Sequence, residues 1–261
     1  MRLITIKQSH YCEKARWALD RLGVAFAEDA YLPQLHQLAV WRATRKHSGG
    51  RADRASSSLS TPVLITDRNE LLCDSQEILK YLSERFTDDK TTLYPTPEAA
   101  TIETELHDQL GPHCRRVGYY YTFQDKRIFR QAIEETAPRW VMAVFPLFFH
   151  AAKIRLTRAM KITEERVERS KHYIAQEADK LDTRLADGRP YLLGEQFSAA
   201  DIASACMLAP AMLVQPHEGY GAQFPRISDV APDFRLLATQ LRGRPVGQYV
   251  LRMFAEERKQ K

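Results

Sequence analysis

The chain has 261 residues, 44% of them hydrophobic and 27% charged, with a formal net charge of +5. That suits a soluble globular protein with one large core or two smaller ones. The excess of positive charge is compatible with nucleic acid, anionic lipid or a small anionic substrate and selects none of them. The amino terminus lacks the apolar run of a signal peptide. The most apolar segment, 140–152, is interrupted by Pro146 and His150 and falls short of the roughly 20 residues of a membrane-spanning helix. A soluble, cytoplasmic protein is expected.

The first part alternates strand and helix signals. Residues 3–6 are β-prone, and residues 11–22 turn helical, with Ala15, Leu19 and Leu22 on one face and Gly23 at the stop. A second strand is predicted over 24–27. Strands over 63–66 and 71–73 flank Asp67-Arg68-Asn69-Glu70 as a hairpin, and a helix follows over 75–86, with Ile78, Leu79 and Leu82 apolar. The order β-α-β then β-β-α makes a small mixed sheet with helices packed on it.

Tyr94-Pro95-Thr96-Pro97 breaks the pattern, which places a linker at 87–100 between domains at 1–86 and 101–261. The second domain is predicted to be all helical. Thr163-Glu164-Glu165 opens a helix whose face carries Val167, Ile174, Ala178, Leu181 and Leu185, and Gly188 fits its end. Gly111-Pro112 and Pro146 should break or kink the earlier helices.

The chemistry concentrates at Ser9-His10-Tyr11-Cys12, where the first strand hands over to the first helix. Unpaired backbone N–H groups and the positive end of the helix dipole make this a place to hold an anion. Ser9 can equally be a plain helix cap. Cys12, Cys73, Cys114 and Cys206 are dispersed, without a disulfide or metal pattern; Cys73 and Cys206 lie in apolar runs, as buried thiols do. His107 and His113-Cys114 lack a convincing metal spacing, so no metal is expected.

The run from Ser9 to Arg16, closed by Gly23, resembles the signature of serine-type, bacterial-like glutathione transferases, and also the redox turn of glutaredoxins with Ser in place of the first cysteine. Thr61-Pro62-Val63 resembles the cis-proline corner of that family, and Asp74-Ser75 its acidic-then-serine step into a helix. Phe197-Ser198-Ala199-Ala200-Asp201-Ile202 resembles its staple and capping box. The resemblance implies a thioredoxin-like domain followed by an all-helical domain, glutathione as co-substrate, a hydrophobic electrophile between the domains, and a homodimer.

It implies further that Ser9 donates a hydrogen bond to the glutathione thiolate. Around Pro62, the Val63 backbone would pair with the cysteinyl unit. Asp74 would meet the γ-glutamyl ammonium, and Ser75 the γ-glutamyl carboxylate. An unperturbed thiol, with a pKa of about 8.5, is only a few per cent ionised at pH 7. A hydrogen bond to a charged acceptor, about 1.5–3 kcal/mol, and a helix terminus, about 0.3–1 kcal/mol, lower that pKa by roughly one to three units. The expected activity is conjugation of glutathione to small electrophiles, or reduction of organic peroxides, in detoxification.

Two alternatives stay open. Cys12 can form a mixed disulfide, giving thiol-transferase or dehydroascorbate-reductase chemistry. The same fold also serves as a non-catalytic ligand carrier or assembly module. Arg42, Arg45, Lys46, Arg51 and Arg54 form a basic stretch over 42–60 that reads as a solvated loop or as a source of a cation for the glycyl carboxylate; without interleaved aromatic residues it is not expected to bind nucleic acid. Of the aromatic runs at 119–123 and 140–149, some residues can line the electrophile pocket and the rest make core or dimer contacts. Arg16 is expected to bridge the domains.

Overall fold

The computed structural model describes residues 1–46, 59–88, 91–134 and 136–258. Strand β1 (Arg2–Ile6) leads into helix α1 (His10–Arg21), β2 (Ala27–Tyr31) and α2 (His36–Lys46). After these come β3 (Val63–Ile65), β4 (Leu71–Leu72) and α3 (Ser75–Phe86). The sheet order is β2-β1-β3-β4, with β1 and β2 parallel and the other pairs antiparallel. Alternation sorts the side chains. Leu3 and Leu64 pack into the core shared with α1 and α3, while Ile4, Val63 and Ile65 pack against Val40 and Ala43 of α2. The fold is a small mixed-sheet, thioredoxin-like unit followed, among the described residues, by helices and two isolated β-bridges, consistent with the expected helical second domain.

Two boundaries differ from the sequence reading. The second strand is Ala27–Tyr31 rather than 24–27. Gly23 has φ +66°, and Val24 N–H bonds back to the Leu19 carbonyl, so this stretch is used to leave the helix. The polar run Ala27-Glu28-Asp29-Ala30-Tyr31 then becomes the strand because its side chains have partners: Thr5 and Arg16 on Glu28, Arg2 on Asp29. Arg42, Arg45 and Lys46 are helical, on α2, and the Arg45 guanidinium lies 4.2 Å from the Trp41 ring centroid. Arg51 and Arg54 lie outside the described residues.

The helical part begins at Pro97, inside the stretch read as a linker. It comprises α4 (Pro97–Glu105), α5 (Gly111–Thr122), α6 (Lys126–Ile133), α7 (Arg139–Ala143), α8 (Phe145–Ala159), α9 (Glu164–Leu185), α10 (Ala199–Met212), α11 (Pro232–Gly243) and α12 (Pro245–Arg252). Gly111-Pro112 does not break the chain's course. A π turn, Leu106–Leu110, absorbs the missing proline N–H between α4 and α5. Pro146 sits in the first turn of α8, where a proline is tolerated. No described helix is long and apolar enough to cross a membrane.

All of α10 is buried, and its start is fixed by the capping box: Asp201 accepts from Ser198 N at 2.6 Å and from Leu192 N at 2.7 Å. Helix α1 packs against α10 on one side and α3 on the other. Its buried charges find partners in the helical part. Glu13 bonds Arg258 at 2.7 Å, Arg258 also bonds Asp20 at 2.9 Å, and Lys14 bonds Glu103. Arg16, expected to span the domains, makes its hydrogen bonds within the first one, on Glu13, Glu28 and the Lys7 carbonyl, and lies beside Gly221 of the helical part.

Burial pushes the Glu13 carboxyl up, but Arg16 and Arg258 more than offset it and hold its pKa below the ordinary range. A carboxylate with a depressed folded pKa stabilises the fold above its unfolded pKa of roughly 4.3, and that contribution is lost as pH falls through the folded value. Glu13→Ala, which removes the carboxylate that Arg258 and Arg16 share and leaves them Asp20 and Glu28, is expected to lose about 3 kcal/mol in urea denaturation near neutral pH. Glu13→Gln should show a shallower loss of stability than wild type as pH drops below roughly 4.3; equal slopes would contradict the assignment.

Candidate active site between the two domains

A cavity of 380 Å³ opens where β1 meets α1 and the helical part closes over them, lined by Ser9, His10, Tyr11 and Thr61 on one side and by α5, α6, α8, α10 and α11 residues on the other. Ser9 is the cap of α1: its oxygen accepts from Cys12 N at 3.4 Å, and its backbone N–H donates to Ile6 at 3.0 Å. Capping and a chemical role coexist, because a hydroxyl that accepts through a lone pair retains its O–H as a donor.

Cys12 is completely buried. Its sulfur accepts from Ile6 N at 3.4 Å, and burial pushes its thiol pKa up despite Arg16 nearby. It is not among the residues lining the cavity.

The Thr61–Pro62 peptide is cis. Pro62 is buried, and Val63 is fully buried and paired in register with Ile4. The residue of this corner that lines the cavity is Thr61.

Asp74 caps α3, accepting from Gln76 N at 2.8 Å, and is half-buried, whereas Ser75 is fully buried. Ser75 meets a residue that sequence reasoning weighed only as a metal ligand, His107. The Ser75 hydroxyl lies 3.4 Å from His107 Nδ1, and Lys14 Nζ lies 3.3 Å from the same atom. An ammonium only donates, so Nδ1 accepts and the imidazole proton sits on Nε2, which faces Asp74 at 3.8 Å and Asp108 at 3.9 Å.

The structure therefore divides the expected site residues. Ser9 and the Pro62 corner border the cavity. Asp74 and Ser75 sit behind it, joined to α1 through His107 and Lys14.

Tyr11 connects the two groups. Its hydroxyl donates to the His107 carbonyl at 3.1 Å, and its ring lies 4.7 Å from the imidazole. Burial pushes its phenol well above the ordinary range, so the phenol keeps its proton and directs it at that carbonyl. A Cβ at Gly111 would stand 2.5 Å from the Tyr11 oxygen, so only glycine permits this approach at the end of the π turn. His10 is buried and held neutral, first by desolvation and then by Arg115; its Nε2 has no partner among the described residues.

The aromatic runs divide as well. Tyr119 and Phe129 line the cavity, while Phe123, Phe145 and Phe149 cluster behind it. Trp140 is 59% exposed and lies outside both groups.

The comparisons with known proteins agree with this architecture. The model described as glutathione S-transferase, N-terminal domain, matches residues 3–90, and that described as glutathione S-transferase, C-terminal domain, matches residues 164–237. Together they take in more than half of the sequence. The chain belongs to the glutathione S-transferase family.

Similar solved structures include a glutathione S-transferase from Methylobacterium radiotolerans in complex with glutathione sulfonate (19% identity, 96% of this chain and 93% of that one, TM-score 0.53). Another, from Methylobacillus flagellatus with glutathione bound, is 17% identical over 95% and 98% of the two chains, with a TM-score of 0.51. FzlA from C. crescentus is 15% identical over 98% of each chain, with a TM-score of 0.55. At these identities the likeness is one of fold. No curated protein matches the sequence.

Cys12, Cys73, Cys114 and Cys206 are all buried thiols. Ellman's reagent is expected to label none of them within minutes in native buffer and all four in denaturant. Rapid labelling of Cys12 in the native protein would contradict the burial described here.

Proposed function

We propose that the protein is a glutathione transferase of the serine type, adding the glutathione thiolate to small hydrophobic electrophiles bound in the interdomain cavity. The observation that carries this reading is the joint position of Ser9: it stands at the N-terminus of α1 and on the wall of an otherwise largely apolar cavity. There a thiolate receives the Ser9 O–H and the helix dipole together, while the electrophile occupies the apolar space beside it. The thiol proton leaves to solvent. Sulfur then bonds to the electrophilic carbon, and the leaving group departs with its electron pair.

In this reading the backbone of the Thr61–Pro62–Val63 corner pairs with the cysteinyl unit. Asp74 faces the γ-glutamyl ammonium. Ser75 and the start of α3 take the γ-glutamyl carboxylate, which requires His107 to release the Ser75 hydroxyl. Peroxide reduction at the same thiolate, a homodimer and a cytoplasmic setting belong to the same reading. Cys12-centred redox chemistry is disfavoured by the burial of its thiol.

The test is conjugation of glutathione to 1-chloro-2,4-dinitrobenzene by wild type, Ser9→Ala and Cys12→Ser. Losing one charge-assisted hydrogen bond should lower kcat/KM of Ser9→Ala by roughly 10- to 100-fold, while Cys12→Ser stays near wild type. The reverse pattern would move the chemistry to Cys12. No turnover, with no glutathione binding by calorimetry, would favour an assembly module; binding without turnover would favour a carrier.

A further inference from the structure

The cavity wall carries an unbalanced charge. Among its described lining residues Arg115, on α5, is the single Arg, Lys, Asp or Glu. Much of the rest is apolar, with Phe129, Ile133, Leu156, Leu213, Phe224 and Phe234 among the walls. The two imidazoles there, His10 and His36, are both held toward their neutral forms, by burial first.

A guanidinium partly withdrawn from water ordinarily has a carboxylate or several acceptors around it. Arg115 is half-buried, yet it makes no hydrogen bond and no ion pair among the described residues. Its contact is with the face of Tyr11, 5.6 Å from the ring centroid. The adjoining surface adds positive charge: desolvation, then Arg166, Arg115 and Arg169 in turn, lower the pKa of neighbouring Arg116. The potential at this end of the cavity therefore favours an anion.

Resting on the transferase reading, we propose that the acceptor is an amphipathic anion: an electrophile with an apolar body for the cavity and a carboxylate that pairs with Arg115. The planar guanidinium suits a carboxylate because it offers two parallel N–H donors. The pairing fixes which end of the acceptor points away from Ser9, and so presents the electrophilic carbon to the thiolate. The carboxylate itself is chemically unchanged. For an aryl chloride, the thiol proton goes to solvent, the carbon–sulfur bond forms, and chloride leaves with the bonding pair.

The test compares 4-chloro-3,5-dinitrobenzoate with the neutral 4-chloro-3,5-dinitrobenzamide as acceptors, and reads the acid-to-amide ratio of kcat/KM. Arg115→Gln should lower that ratio about tenfold, the low end for a charge-assisted hydrogen bond at a partly solvated site. Arg115→Lys, which keeps the charge without the fork, should lie between. Arg115→Met takes the place of Arg115→Gln if the latter does not fold.

Calorimetric titration of 3,5-dinitrobenzoate and 3,5-dinitrobenzamide, neither of which has a leaving group, repeats the comparison without glutathione. An acid-to-amide affinity ratio that falls about tenfold on losing Arg115 supports the carboxylate site even if no variant turns over, which would count against the conjugation reading alone. An affinity ratio within about twofold of wild type would overturn the inference.

Discussion

The site depends on charges that helix α1 carries into the interior. Glu13 and Lys14 are completely buried, and each is balanced across the domain boundary: Glu13 by Arg258, Lys14 by Glu103 and the His107 ring. Burying ions costs several kcal/mol apiece, so their value lies less in net stability than in allowing one arrangement of the parts. A docking of the helices that separated Lys14 from Glu103 would leave the buried ammonium without its carboxylate. That constraint fixes the distance between Ser9, at the start of α1, and the helices that form the far wall of the cavity. Tyr220 adds to it by donating to the Gln8 carbonyl, next to Ser9, at 3.2 Å.

The same contacts tie the candidate site to its surroundings. Lys14 sets the imidazole tautomer of His107, and His107 holds Ser75 while facing Asp74. One turn earlier on the helix, Tyr11 lies against His107 and under Arg115. Both ends of the proposed glutathione site and the proposed acceptor site thus share neighbours on a single helix. A change at His107 or Tyr11 acts on both through direct contact rather than through a remote pathway.

Local signals were read well from the sequence where local physics decides. Ser9 with Gly23, Asp74 before α3 and Thr163 before α9 are caps or stops, and they mark those helices correctly. The Ser198–Asp201 box is likewise closed within four residues. Phe197 meets the Tyr191 ring edge-on and lies under the Arg21 guanidinium, 3.5 Å away.

What failed to show in the sequence is what distance along the chain hides. The partners of Lys14 and Glu13 are 89 and 245 positions away, so these residues read as an ordinary charged helix face. β2 is made a strand by partners on β1 and α1, against its own weak propensity. His107 and Arg115 carry no motif at all. The π turn between α4 and α5 brings them to the site, and its sequence trace is the Gly111-Pro112 pair, which predicts a break or a kink.

The central claim is that Ser9 stabilises a glutathione thiolate at the start of α1. The most direct measurement is the ultraviolet absorbance of the thiolate in the glutathione complex, followed against pH for wild type and Ser9→Ala. The account requires the bound thiol of the wild type to ionise roughly one to three units below the free thiol, and to return toward the free value in Ser9→Ala. A bound thiol that titrates with free glutathione in both proteins would contradict it.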